Sequence, residues 1–157
     1  MRRRAEFEIE TRLAADAAAV WKRATSAEGI NDEMRPWLRM TVPRGLDSLD
    51  IDALGPGRIG RSWILLLGIV PVDYDDLCLE RIERGRGFHE RSTMLSQRLW
   101  EHRRTIVPGD DRGCTVVDRI AWEPRPPIPG SLFRPLFRAF FRHRHARLRR
   151  HFGAASV

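Results

Sequence analysis

Phe88-His89-Glu90-Arg91-Ser92-Thr93-Met94, Trp100-Glu101-His102-Arg103-Arg104-Thr105-Ile106 and Cys114-Thr115-Val116-Val117-Asp118-Arg119-Ile120-Ala121-Trp122 decide the fold. Each segment alternates in character, and a strand sends successive side chains to opposite faces. Read as three antiparallel strands, they share a face carrying Phe88, Glu90, Ser92, Met94, Trp100, His102, Arg104, Ile106, Val116, Asp118, Ile120 and Trp122. The other face carries His89, Arg91, Thr93, Glu101, Arg103, Thr105, Thr115, Arg119 and Glu123, as the solvated side of a half-covered sheet does. The first face is aromatic and aliphatic but crossed by a few ionisable groups. That is how a small-molecule cavity is lined.

A register follows if apolar positions stay on one face. A turn centred on Asp110 sets His102 opposite Asp118, Trp100 opposite Ile120 and Arg104 opposite Val116. A turn centred on Ser96 sets Glu90 opposite His102 and Ser92 opposite Trp100. Glu90, His102 and Asp118 then form one row, roughly 5 Å between neighbours. Two readings stand. The row is either a satisfied polar network that fixes strand register, or a site where His102 transfers protons or orients a ligand carbonyl. One histidine with two carboxylates is a thin ligand set, so no metal is expected.

Outward from this core, Phe7, Ile9, Thr11 and Leu13 alternate with Glu6, Glu8, Glu10 and Arg12, which predicts a first strand. Asp16 caps a helix over 17–25, ended by Ser26-Ala27-Glu28-Gly29, and a second short helix spans Asn31 to Trp37. Leu38 to Val42 resumes a strand, and Pro43 to Gly60 reads as loop or a poorly paired hairpin. Arg61 to Leu67 and Asp75 to Glu83 are further strands. The run Trp63 to Val72 is about half the ~20 residues of a membrane-spanning helix and reads as a buried strand. Trp63 and Tyr74 are pocket candidates, Trp63 equally a core residue and Tyr74 in a turn near the cavity mouth. After the proline-rich 123–130, a long helix starts at Ser131. Its stripe of Phe133, Leu136, Phe137, Phe140, Phe141, Leu148 and Phe152 is the one cover long enough for the sheet, while Arg134, Arg138, Arg142, Arg149 and Arg150 take the remaining surface.

The 157 residues suit a single domain over 1–157. The chain has 28 basic against 21 acidic residues, a net +7, and Lys22 is its only lysine. Arginine in such excess reflects either coding composition or recognition of anions. Two cysteines, Cys78 and Cys114, are too few for a disulfide framework and fit a reducing compartment. Met1-Arg2-Arg3-Arg4 leads directly into the alternating acidic segment with no apolar core, so a cytoplasmic location is expected.

Ala19-Val20-Trp21 with Ala27-Glu28-Gly29-Ile30 resembles the first helix and helix turn of the START-related ligand-binding superfamily (SRPBCC). Trp100 to Arg104 and Thr115 to Arg119 resemble the W-x-H-x-[HR] and T-x-x-D-R segments of its uncharacterised bacterial branch, and Arg142 to Leu148 resembles the helix ending there. The resemblance implies an α+β helix-grip fold, a curved antiparallel sheet of about six or seven strands around a long C-terminal helix, with two short helices after the first strand. It also implies a cavity for an apolar or aromatic ligand, with Trp63, Tyr74, Glu90, Ser92, Met94, Trp100, His102, Asp118, Phe137 and Phe141 as candidate contacts. No cofactor is expected. The alternative is a polyketide cyclase or aromatase in which the same cavity guides aldol cyclisation and His102 moves protons. A third reading is a polyanion-binding module on the arginine-rich helix. No aromatic stacking platform accompanies that charge, so nucleic acid is not the expected partner. Oligomeric state stays open, a homodimer included.

Overall fold

The computed structural model describes residues 4–155; the Met1-Arg2-Arg3 start lies outside them. The elements run β1 (Ala5–Leu13), α1 (Ala17–Ala24), α2 (Ala27–Met34), β2 (Leu38–Met40), β3 (Gly57–Leu66), β4 (Val70–Glu83), β5 (Gly87–Met94), β6 (Gln97–Pro108), β7 (Cys114–Pro124) and α3 (Arg134–Phe152). Every strand pairing is antiparallel, in the order β1-β7-β6-β5-β4-β3-β2. The sheet curls into a half-barrel and α3 lies in its grip, so the fold is the expected helix-grip α+β arrangement.

Local chemistry places the helices. Asp16 accepts a hydrogen bond from the Ala19 amide at 2.7 Å and starts α1. Ser26, which from sequence ends that helix, instead caps the next one by accepting from the Gly29 amide at 3.0 Å. The second helix therefore spans Ala27–Met34 rather than Asn31 to Trp37. Gly29 is required there, because a Cβ would sit 1.8 Å from the Arg23 carbonyl oxygen. Ser131 falls in a 3-10 turn, Gly130–Phe133, and α3 proper begins three residues later.

Two cores form beneath α3. One gathers Leu13, Val20, Trp21, Leu77, Leu79, Val116 and Leu148; the other gathers Ala5, Phe7, Ile120, Trp122 and Phe141. The phenylalanine stripe is narrower than expected. Leu136 is exposed, whereas Arg144 and His145 on the same helix point inward and are buried.

The β5/β6 register is the expected one, Glu90 opposite His102 and Ser92 opposite Trp100. The β6/β7 register is displaced by two residues. His102 faces Ile120, Arg104 faces Asp118 and Trp100 faces Trp122, so the turn centres on Asp111 rather than Asp110. Moving a turn centre by one residue moves the partner by two, which keeps every side chain on its face. The apolar run Trp63 to Val72 is not one buried strand. It is the end of β3, a tight turn at Leu67-Gly68-Ile69 and the start of β4.

Candidate functional site

Alternation delivers Asp118, His102, Arg104, Glu90 and Ser92 to the concave face, and burial makes their pairing obligatory. Arg104 is the hub. It donates to Asp118 from Nε and Nη2 at 2.8 and 2.7 Å, and to Glu33 of α2 from Nη1 and Nη2 at 2.6 and 2.9 Å. Arg144 of α3 donates to the same Glu33 at 3.0 Å. His102 Nε2 lies 2.8 Å from Asp118 Oδ1, and His145 Nε2 of α3 lies 2.9 Å from Asp118 Oδ2. Burial alone would lift the Asp118 and Glu33 pKa values. The Arg104 guanidinium, with His102 for Asp118 and Arg144 for Glu33, overcomes it and holds Asp118 well below and Glu33 below the usual carboxylate range.

A second polar group lies beside it on the same face. Ser92 Oγ donates to Glu90 Oε1 at 2.9 Å and accepts from the Cys78 amide at 3.1 Å. Glu90 Oε2 is 3.9 Å from His102 Nδ1. Asp75 of β4 is buried with no cation bonded to it. Desolvation and then the neighbouring Glu90 carboxylate push its pKa well up, so it holds a proton it can donate to Glu90. Opposite it in β3 is Ser62, also fully buried. Ser62 Oγ and Asp75 Oδ1 have no hydrogen-bond partner among the described residues.

Aromatic walls flank these groups. Trp100 meets Phe137 edge-on at 5.2 Å, and His102 meets Phe141 at 5.2 Å and Phe88 at 5.3 Å, both edge-on. Met94 closes the end of β5. The interior thus brings together eight of the ten residues singled out from sequence, Glu90, Ser92, Met94, Trp100, His102, Asp118, Phe137 and Phe141. Trp63 and Tyr74 are not among them. Ser62 and Asp75 point inward, so Trp63 and Tyr74, one residue along each strand, stack edge-to-face on the outer surface at 5.6 Å, with Arg61 over the Tyr74 ring. Tyr74 lies within β4, not in a turn.

Alternation along single strands did not reveal Glu33, Arg144 and His145, because they come from helices whose rotation it does not set. Ser62 and Asp75 were hidden by an apolar run and by an acidic cluster that reads as a turn. Two clefts open on the surface, neither of them between the sheet and α3: one of about 210 Å³ on the outer sheet face between Arg4, Glu101 and Arg119, and one of about 420 Å³ between α2 and β2. Among the described residues no group of three or more His, Cys, Asp or Glu side chains is arranged to hold a metal ion.

This architecture is shared widely. A START superfamily protein from Mycobacterium smegmatis superposes with a TM-score of 0.66 at 13% identity, over 95% of this chain and 96% of its own. Protein CV1439 from Chromobacterium violaceum gives 0.71 at 11% identity, over 96% and 99%. DynU16, a putative protein in the dynemicin biosynthetic locus, gives 0.62 at 15% identity, over 93% of this chain and 46% of its own. The chain therefore has a START-like fold. No curated protein matches it in sequence. Residues 11–152 match the family described as Domain of unknown function (DUF8410), and the chain belongs to that family.

Proposed function

We propose that this protein binds a small apolar or aromatic molecule between the sheet and α3, with Trp100, Met94, Phe137 and Phe141 as walls and Glu90, Ser92, Asp75 and Ser62 as the polar end. One observation carries the reading: among the described residues Ser62 Oγ and Asp75 Oδ1 are buried polar atoms without a hydrogen-bond partner, on the sheet face that carries Trp100 and Met94, and the polar group of a ligand would pair with them. His102 and Asp118 take a supporting role in it. Asp118 is engaged by Arg104, His145 and His102 Nε2, and both side chains are enclosed. An enclosed His102 favours ligand binding over a cyclase reaction driven from that imidazole. Polyketide-type aromatics belong to the class of molecules to test, as the substrates of the cyclase alternative.

Apolar fluorescent probes should bind the native protein at micromolar levels, and Ser92→Trp, which puts an indole ring into the proposed site beside Glu90, should displace them while the unfolding transition survives. Native mass spectrometry after exposure to a polyketide-aromatic and a fatty-acid panel checks the class. Absence of binding by every probe to a folded protein would end this reading.

A further inference from the structure

The turn joining β3 to β4 is unlike a solvent-exposed turn. Leu67 and Gly68 both adopt positive φ, 53° and 80°, a conformation that favours glycine or asparagine over leucine. Yet Leu67 is 59% exposed and Ile69 77% exposed, and Leu66, Val70 and Val72 are exposed beside them. Burial does not explain five apolar side chains on one tip.

Strand register shows what surrounds that tip. The Leu67 amide donates to the Trp37 carbonyl at 2.8 Å, which ties the exposed Trp37 to it. Asp75 pairs with Met94, and the Leu95 amide bonds to the Tyr74 carbonyl, so the β5/β6 turn with exposed Leu95 occupies the same end of the sheet. Gln97 pairs with Pro124, so β7 ends there too, and the chain leads on to α3 through exposed Ile128, Leu132 and Leu136. One open end of the half-barrel is therefore rimmed with apolar side chains. Scattered surface hydrophobics need no explanation, but exposed apolar side chains gathered from several connections at one end of a sheet do.

Charge selects the partner. Residues 124–157 contain eight arginines and no acidic residue. Arg144 and Arg147 turn back to Glu33 and Asp32, and Arg149 to Thr11. Arg134, Arg138 and Arg142 at the start of α3, with Arg35 and Arg39 beside Trp37, are exposed and form no ion pair among the described residues. A second copy of the chain would set these arginines against their own equivalents, a repulsive contact. An anionic bilayer offers the complement of both features, acyl chains for Leu67, Ile69 and Trp37 and phosphates for the arginines. Among the described residues no helix is long and apolar enough to cross a membrane, so the contact is peripheral.

We propose that the β3/β4 tip, the β5/β6 turn and the start of α3 form a docking surface for anionic lipid bilayers, independently of whether the interior holds a ligand. Vesicles of phosphatidylcholine with and without phosphatidylglycerol, sedimented with the full chain, test it. Expected is partition onto the phosphatidylglycerol vesicles alone, weakened by salt, with a blue shift of emission that is missing in Trp37→Phe. Leu67→Glu/Ile69→Glu should lower partition at least about tenfold, and Arg134→Glu/Arg138→Glu should lower it and flatten its salt dependence, both variants keeping the wild-type unfolding transition. No partition onto either vesicle overturns the proposal. So does partition unchanged by Leu67→Glu/Ile69→Glu, or a solution dimer that those two substitutions dissociate.

Discussion

Asp118 shows how much one side chain can organise. Fully enclosed, it is reached by Arg104 and His102 from β6 and by His145 from α3, at 2.7 to 2.9 Å. Removing its charge leaves a buried guanidinium with half its compensation, the circumstance in which breaking an ion pair is most damaging. Asp118→Asn should therefore destabilise the fold by about 3 to 5 kcal/mol in urea titrations. Glu8→Ala, which breaks an exposed pair with Arg119, should cost no more than about 0.5 kcal/mol. If the two variants cost the same, Asp118 is not the anchor that its contacts describe. The shared face of His102 and Asp118 was legible in the sequence through alternation, but not their register: the two are diagonal neighbours, displaced by two residues from the direct pairing expected. Nor was the rest of the cluster legible. Glu33 and Arg144 reach Arg104 from elements remote in sequence, and strand periodicity carries no information about them.

At the scale of elements, legibility followed the contrast between faces. Where one face was apolar and the other polar, as in β5, β6 and β7, the strands could be placed within a few residues. Where both faces were apolar, as from Trp63 to Val72, the turn at Gly68 could not be told from a continuous strand. The joint between α1 and α2 misled for a different reason. Glu28-Gly29 looks like a helix ending, but Gly29 is there so that α2 can pass the Arg23 carbonyl at close range. Gly29→Ala should force the two helices apart and, through Glu33, loosen Arg104 and Arg144 as well. The expected cost is about 1 to 3 kcal/mol, with faster amide exchange in α2 than in β6. An alanine variant as stable as the wild type would mean that the joint is free to relax.

The molecule as a whole holds buried carboxyls of two opposite kinds, and its pH dependence should show both. Glu33 and Asp118 have pKa values below those of the unfolded chain, so the stability they contribute is complete above the ordinary carboxylate range and is lost as pH falls through their depressed values. Asp75 runs the other way. Its folded pKa lies well above the ordinary 3.8, so its contribution is present below that value and is lost as pH rises through the folded one. Folding stability should then reach a maximum between the two limbs, and the alkaline limb should belong to Asp75. Asp75→Asn keeps the shape and the donor toward Glu90 but cannot ionise. The difference in Tm, variant minus wild type, should grow more positive as pH rises from the ordinary carboxylate range through the raised pKa of Asp75, because only the wild type has a charge to bury. Parallel melting curves across that range would show that Asp75 is not held protonated beside Glu90, and would remove the polar end from the interior site.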